Sequence, residues 1–332
     1  MPPVKVTVGI TTYNLEQYIA PCLDSILRQK TSFAYKIRVV DDASTDGTRD
    51  ILQKYQQKFP EKLELVLKEK NGGYLASSNM LFNGIKTPYF SFIDGDDYWL
   101  RDTRLQEAVD FLDKHPQYTM YGANSLYLKE GETQGRVVSD EDTRKSYSFQ
   151  DYIQGNCPFV HTSAIVLRNV VYQHGMPQNY IDNEHTLFNC VFRGEDIRFI
   201  EHLRKGMLFV SDNVDSVYRI HAKGIWQGAS SNKRLLEACL SALKYQELFP
   251  EARLRYQRLL DESFRHFTQG LQAGYQLSDT EHTLYVGLLN QLHAQHYDMW
   301  NFPPQRPLSL KYKILLSIYR RLKTKLTKKG VL

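Results

Sequence analysis

The sequence predicts an α/β fold, a mostly parallel sheet flanked by helices, with a C-terminal helical extension. Three observations predict it. Up to about residue 100, apolar runs of strand length alternate with amphipathic stretches at helical spacing. Three of those strands run straight into polar clusters. From Asn232 to about Gln295 the pattern is mostly helical.

The elements follow in order. Val4 to Ile10 is a strand ending in Thr11-Thr12-Tyr13-Asn14, and Leu15, Tyr18, Ile19, Leu23, Ile26 and Leu27 give a helix over 15–29. Lys36 to Val40 reads as a buried parallel strand leading into Asp41-Asp42-Ala43-Ser44-Thr45-Asp46-Gly47-Thr48, a run of turn and helix-capping residues. A helix over 47–58, a strand over 63–67, a helix over 74–85 and a strand over 89–93 come next. Thr103 to Lys114 reads as a helix and Tyr118 to Leu128 as a strand covered on both faces, since neither face is cleanly apolar. Lys129 to Lys145 is polar, holds Gly131 and Gly135, and has no sustained period, so a mobile loop is expected. Thr162 to Arg168 reads as a strand and Glu184 to Lys205 as a helical stretch. In the extension, Leu235, Leu236, Cys239, Leu240 and Leu243 form an apolar stripe.

Chemistry concentrates where strands end. The run Phe90-Ser91-Phe92-Ile93-Asp94-Gly95-Asp96-Asp97 places three carboxylates within four residues. They repel one another, and oxygen-only ligation suits a hard divalent ion, Mn2+ or Mg2+. A solvated acidic turn is the plain alternative. In an open α/β sheet, ligands bind at the C-terminal edge of the strands. Thr11, Tyr13, Asp42, Asp94, Asp96 and Asp97 are therefore expected around one crevice.

These residues also carry a family resemblance. The ordered series Val8 to Asn14, Cys22 to Gln29, Val39 to Thr48, Asn71-Gly72-Gly73 with Asn79 and Gly84, and Ile93 to Asp97 resembles glycosyltransferase family 2, the inverting enzymes of the GT-A, Rossmann-like fold. Thr11 stands where that family usually has Pro or Ser, and Ala43 where Gly is common. The resemblance implies transfer of a sugar from a nucleotide-sugar donor, UDP-linked, to a hydroxyl of a surface-glycan or lipid-linked acceptor. It assigns Thr11, Tyr13 and Asp42 to the nucleotide, with Tyr13 stacking on the base and Asp42 accepting a hydrogen bond from it. Asp41 is left as a cap or turn residue. Asp97 is the expected direct metal ligand, with Asp96 on the ribose or in the outer sphere and Asp94 orienting a turn permitted by the backbone freedom of Gly95. His221 is expected on the ion or the phosphates, and Trp226 in a closing loop as a wall for the sugar. The expected base is Asp196, in Gly194-Glu195-Asp196-Ile197-Arg198-Phe199, with Glu184 as the alternative; either is also an acid favoured in a first helical turn. His161 and Thr162 fall on the acceptor side by the same likeness.

At 332 residues the chain accommodates a domain over 1–228, with a nucleotide half to about residue 100 and an acceptor half after it, a helical extension over 229–300, and a tail over 307–332. That tail holds eight Lys or Arg and no acid, more than the whole chain's net charge of +5. Leu308, Tyr312, Leu315, Leu316, Tyr319, Leu322 and Leu326 recur at helical spacing, so a basic amphipathic helix on an anionic membrane surface is expected; a helix packed on the body is the alternative. No nucleic-acid module accompanies the basic patch, and nucleic acid is not an expected partner. Cys22, Cys157, Cys190 and Cys239 lack metal-ligand spacing, and the start of the chain does not resemble a signal peptide. The expected location is cytoplasmic, peripheral on the inner face of the cell membrane. A nucleotidyltransferase would use the same carboxylates, but the chain has no Gly-rich phosphate loop with a basic residue. A non-catalytic nucleotide- or carbohydrate-binding module is the other alternative.

Overall fold

The computed structural model describes residues 3–129, 131–192, 195–221, 224 and 229–295, with Glu195 described in its backbone only. Backbone contacts divide the chain into two compact units, Met1–Gly228 and Ala229–Leu332.

The first unit is built on strands that pair as the apolar pattern dictates. β1 (Val4–Thr12), β2 (Ala34–Asp41), β3 (Leu63–Leu67) and β4 (Tyr89–Asp94) are mutually parallel, and the helices between them are α1 (Ile19–Leu27), α2 (Thr48–Lys58) and α3 (Gly73–Asn83). After the short β5 (Tyr98–Trp99) come α4 (Arg104–Lys114), β6 (Tyr118–Lys129), β7 (Glu132–Arg136), β8 (Lys145–Tyr147), α5 (Phe149–Gln154), β9 (Ile165–Arg168), α6 (Gln178–Asp182), α7 (Glu195–Leu203) and β10 (Met207–Ile220). The sheet order is β3-β2-β1-β4-β9-β6-β10-β5, with β7 on β6 and β8 on β10. β9 runs antiparallel between β4 and β6, which makes the sheet mixed but mostly parallel.

The core is sandwiched between strand and helix. Val6, Val8, Ile10, Ile37 and Val39 of the strands meet Ile19, Leu23 and Ile26 of α1 and Leu105, Val109 and Leu112 of α4, all fully buried. Each such side chain contributes about 1.5 to 3 kcal/mol of transfer free energy.

Several expectations change in detail. Residues 15–18 form a turn before α1, because backbone donors there are drawn to the neighbouring loop: Asn14 N–H to Ser44 Oγ at 2.9 Å, Leu15 N–H to Thr48 Oγ1 at 2.8 Å and Glu16 N–H to Asp46 Oδ2 at 3.2 Å. The stretch expected as a loop over 129–145 instead supplies β7, and β8 begins at its end; their main chains pair with β6 and β10, and such pairing needs no apolar period. Thr162–Ala164 is a 3-10 turn rather than strand, with Ser163 N–H held by His161 Nδ1 at 3.3 Å. The helical stretch over 184–205 resolves into a 3-10 segment, Leu187–Phe192, and α7. Thr186 Oγ1 accepts from Phe188 N–H and donates to Asn183, a local exchange that competes with a continuous helix.

The second unit is described as three helices, α8 (Ser231–Leu248), α9 (Arg253–Gln272) and α10 (Asp279–Ala294). Leu236, Cys239, Leu240 and Leu243 of the predicted stripe are buried, as are Tyr256, Leu260, Phe264 and Phe267 of α9 and Leu288 and Leu292 of α10. Ser230 and Ser278 cap the first and last of these helices. Among the described residues no helix is long and apolar enough to cross a membrane. The tail over 307–332 and Trp226 lie outside the described residues.

Candidate active site

Strand register brings the polar strand ends together. Thr11 sits opposite both Val40 of β2 and Asp94 of β4, and Thr12 opposite Asp41. The Asp42 N–H then donates to the carbonyl of Thr12 at 2.9 Å. Asp42 and the acidic turn thus flank β1, two strand spacings or about 10 Å apart. Tyr13, at the tip between them, is 46% exposed.

Asp97 is fully buried. It accepts from Ser163 Oγ at 2.6 Å and from the main-chain N–H of Arg219 at 3.0 Å, and lies 3.6 Å from His161 Nδ1. Burial, then the neighbouring Asp96 and Asp94 carboxylates, push its carboxyl well above the usual range; the Ser163 and Arg219 hydrogen bonds act the other way. Asp96 faces outward and places Oδ2 2.9 Å from His221 Nε2. The His221 ring stacks on Tyr18 at 4.6 Å, and the Arg219 guanidinium donates to the Asp96 carbonyl at 2.5 Å while lying over Tyr18 and Tyr98. The second half of β10 reaches this turn because its pairing with β6 slips between Val210 and Val214 and again before Ser216. Gly95 has a different use from the one expected. Its φ is not in the left-handed region, but an added Cβ would meet Leu15 Cδ1 at 3.0 Å and Ile19 Cδ1 at 3.3 Å, so the position requires close approach.

The opposite side of β1 is built around Asp42. Its Oδ1 accepts from Lys68 Nζ at 2.6 Å and Gly72 N–H at 2.9 Å, and its Oδ2 accepts from Gly73 N–H at 2.8 Å. A carboxylate offers about four lone-pair sites, which leaves one on Oδ2. Asp41 is a turn residue: it accepts from Ser44 N–H and Oγ and from Arg49 Nε. Ala43, between the two acids, is held at φ +62°.

The two candidate bases sit in different surroundings. Asp196 is exposed in the first turn of α7 and accepts from the Tyr152 hydroxyl at 3.2 Å. Two residues on, Arg198 donates to Thr162 Oγ1 at 3.4 Å, and Thr162 lies between His161 and Ser163, both beside Asp97. Glu184 is half-buried and accepts from Asn79 Nδ2 of α3 at 2.6 Å.

A family model described as glycosyl transferase family 2 matches residues 7–175, half of the chain. The chain belongs to glycosyltransferase family 2. Among its relatives, uncharacterized proteins of Mycobacterium tuberculosis are 27% identical over 223 residues, 67% of this chain and 61% of theirs. The putative teichuronic acid biosynthesis glycosyltransferase TuaG of Bacillus subtilis is 33% identical over 126 residues, 38% of this chain and 49% of its own. The poly(ribitol-phosphate) beta-N-acetylglucosaminyltransferase TarS of Staphylococcus aureus is 36% identical over 115 residues, 34% of this chain and 19% of its own. The chain spans less than two thirds of the length of these relatives. In structure, residues 1–349 of S. aureus TarS, solved with UDP-GlcNAc, align at a TM-score of 0.59 and 22% identity over 88% of this chain and 81% of that one, a likeness of fold.

Two donor sets for a divalent ion share the acidic turn of this family 2 chain. Asp94, Asp97 and His161 bring one donor atom each to within 4.8 Å of one another. Both oxygens of Asp97 already accept hydrogen bonds, however, and the His161 ring is stacked on Tyr218 at 4.2 Å. Asp96 and His221 are more open, with side chains 20% and 14% exposed. Their 2.9 Å separation matches adjacent ligands on an ion with bonds of about 2.0 to 2.1 Å. The carboxylate suits Mn2+ or Mg2+, and a neutral imidazole is a common metal ligand. The sequence preference for Asp97 as direct ligand and Asp96 as outer-sphere group therefore meets the reverse order of accessibility. Lys68, Tyr18, Ser163 and Arg219 went unassigned in the sequence. Lys68 directly follows the third strand; the others carry no local signal, since their roles arise from contacts more than 60 residues distant.

Proposed function

We propose that this protein is a metal-dependent inverting glycosyltransferase that moves a sugar from a UDP-linked donor to a hydroxyl of a surface-glycan or lipid-linked acceptor. The observation that carries the reading is the pairing of β2, β1 and β4, which sets Asp42 and the Asp94–Asp97 turn at one sheet edge. In this reading the remaining lone pair of Asp42 Oδ2 accepts the imide N–H of the base, with Thr11 and Tyr13 lining the nucleotide, Tyr13 against its ring. Lys68 and the two glycine N–H groups hold the Asp42 carboxylate in its orientation. Asp96 and His221 are the residues that hold the ion, while Asp97 anchors their turn to β10. When bound, the ion offsets the charge that grows on the departing diphosphate. Asp196 takes the proton of the acceptor hydroxyl, and its exposure leaves it open to an acceptor. Trp226 is assigned to the wall around the donor sugar, and residues 307–332 to an anionic membrane surface on the cytoplasmic side. The names of TuaG, a putative teichuronic acid biosynthesis glycosyltransferase, and TarS, a poly(ribitol-phosphate) beta-N-acetylglucosaminyltransferase, and the UDP-GlcNAc complex of TarS support this choice of donor and acceptor.

The test is release of free nucleotide from a panel of UDP-, GDP- and dTDP-sugars, with Mn2+, with Mg2+ and with chelator, in the presence of membrane-extracted acceptor. Metal-dependent release of UDP with an inverted product is expected. Formation of pyrophosphate from a nucleoside triphosphate would instead identify a nucleotidyltransferase, and binding without turnover a non-catalytic module.

A further inference from the structure

His221 reaches the acidic turn without the support that a metal-ligating imidazole usually receives. Such a ring ordinarily donates its other N–H to a carboxylate, a carbonyl or a water, and that outer bond fixes its orientation. Here Nε2 faces Asp96 Oδ2 at 2.9 Å, whereas Nδ1 is buried and has no hydrogen-bond partner among the described residues. Polar contact therefore holds the ring at one point, about which it can pivot. What meets its face is the Tyr18 ring, with centroids 4.6 Å apart and planes inclined by 28°.

Tyr18 is itself fixed by its backbone. It is the N-cap residue of α1: its N–H donates to the Leu15 carbonyl at 2.9 Å, and its own carbonyl accepts from Cys22 N–H at 3.2 Å. The turn before it is stapled to the loop between β2 and α2, where Thr45 N–H donates to Asn14 Oδ1 at 2.8 Å and Gly47 N–H to Glu16 Oε2 at 2.8 Å, in addition to the bonds from the backbone of residues 14–16. The Arg219 guanidinium, which holds the Asp96 carbonyl, lies 5.3 Å from the Tyr18 ring centroid and 4.5 Å from that of Tyr98. Stacked aromatic rings prefer such a geometry, and the contact with His221 is made by the face of the ring, not by the hydroxyl.

We propose that Tyr18 is a positioning residue for the metal site: its ring stands in for the missing outer hydrogen bond and holds the His221 imidazole with Nε2 toward an ion beside Asp96. The inference rests on the reading of Asp96 and His221 as the residues that hold the ion. It gives the segment before α1 a part in metal binding that requires an aromatic ring and no polar group.

The experiment is titration of the full chain with Mn2+ alone, the free ion being read by electron paramagnetic resonance. It compares wild type, Tyr18→Phe, Tyr18→Leu, His221→Ala and the double variant Tyr18→Leu with His221→Ala. Tyr18→Leu and His221→Ala should each weaken Mn2+ binding by about tenfold or more, the range for lost support of a ligand, and Tyr18→Phe should stay within about twofold of wild type. The double variant should bind no more weakly than His221→Ala, because a residue that acts through the imidazole has nothing to act on once the imidazole is gone. Unchanged binding in Tyr18→Leu, or Tyr18→Phe as weak as Tyr18→Leu, overturns the proposal. Losses that add in the double variant also overturn it, since they show that Tyr18 acts on the fold and not through His221. Unchanged binding in His221→Ala removes the metal assignment itself, a failure separable from weak binding in His221→Ala with full binding in Tyr18→Leu, which sinks the positioning role alone.

Discussion

The acids of the 94–97 turn differ in what they touch, and substitution should separate them. Asp96→Asn removes a partly exposed carboxylate beside His221 and should lower kcat/KM by about 100-fold or more, in the range for lost electrostatic stabilisation, with an unchanged melting curve. Asp97→Asn places an amide against the donors of Ser163 and Arg219, and mispairing of such a buried group costs about 2 to 4 kcal/mol. Loss of activity should there be accompanied by a lower Tm. Equal Tm values for the two variants would reverse the assignment of open and buried acid. For the base, Asp196→Asn should reduce kcat by about 100-fold or more with the donor Kd unchanged by titration. Glu184→Gln, which still accepts from Asn79, should keep most activity; the opposite pattern moves the base to Glu184. Strand ends and family motifs single out Asp42, Asp96, Asp97 and His221, and strand pairing places Asp42 and the acidic turn at one sheet edge, with His221 beside Asp96. Which carboxylate faces outward was not legible in the sequence, because that depends on Ser163 and Arg219, distant along the chain.

Single elements carry two further expectations. The turn between β2 and α2 holds Ala43 at φ +62°, in the left-handed region where a Cβ is strained by about 1 to 2 kcal/mol. Ala43→Gly should therefore raise unfolding free energy by about 1 kcal/mol in urea titration; a decrease would show that chain entropy outweighs the strain. On α7, Glu201 accepts from the Tyr180 hydroxyl of α6 at 2.8 Å, and burial pushes its carboxyl up to about 7 against the pull of Tyr180, Arg204 and Lys205. Between the unfolded value near 4.5 and about 7 the native state keeps a proton that the unfolded chain has lost, so stability falls as pH rises through that window. The loss amounts to about 3 kcal/mol at most. Glu201→Gln should flatten that slope and raise Tm at pH 8 while leaving it unchanged at pH 4.5. The alternating strands and helices were readable because burial imposes a period. The edge strands β7 and β8 were not, since main-chain pairing leaves no apolar signature, and the start of α1 was obscured by side chains from the next loop.

On the scale of the molecule, the eight cations of residues 307–332 are the strongest charge asymmetry in the chain. Truncation at residue 306 should abolish sedimentation with vesicles containing anionic lipid, and leave transfer to a soluble acceptor intact. Vesicle binding that persists, or that is indifferent to salt, would remove the tail from the membrane reading. The parallel sheet and helical extension were both evident from periodicity.

The separation of Asp42 from the acidic turn makes the crevice a gauge of length. Strand pairing holds its two ends about 10 Å apart and cannot be adjusted without shifting the register of β1. On the proposed assignment a nucleoside or a free diphosphate satisfies one end alone, and only a molecule long enough to bridge both gains the affinity of simultaneous attachment. Discrimination by span is then inherited from the sheet itself.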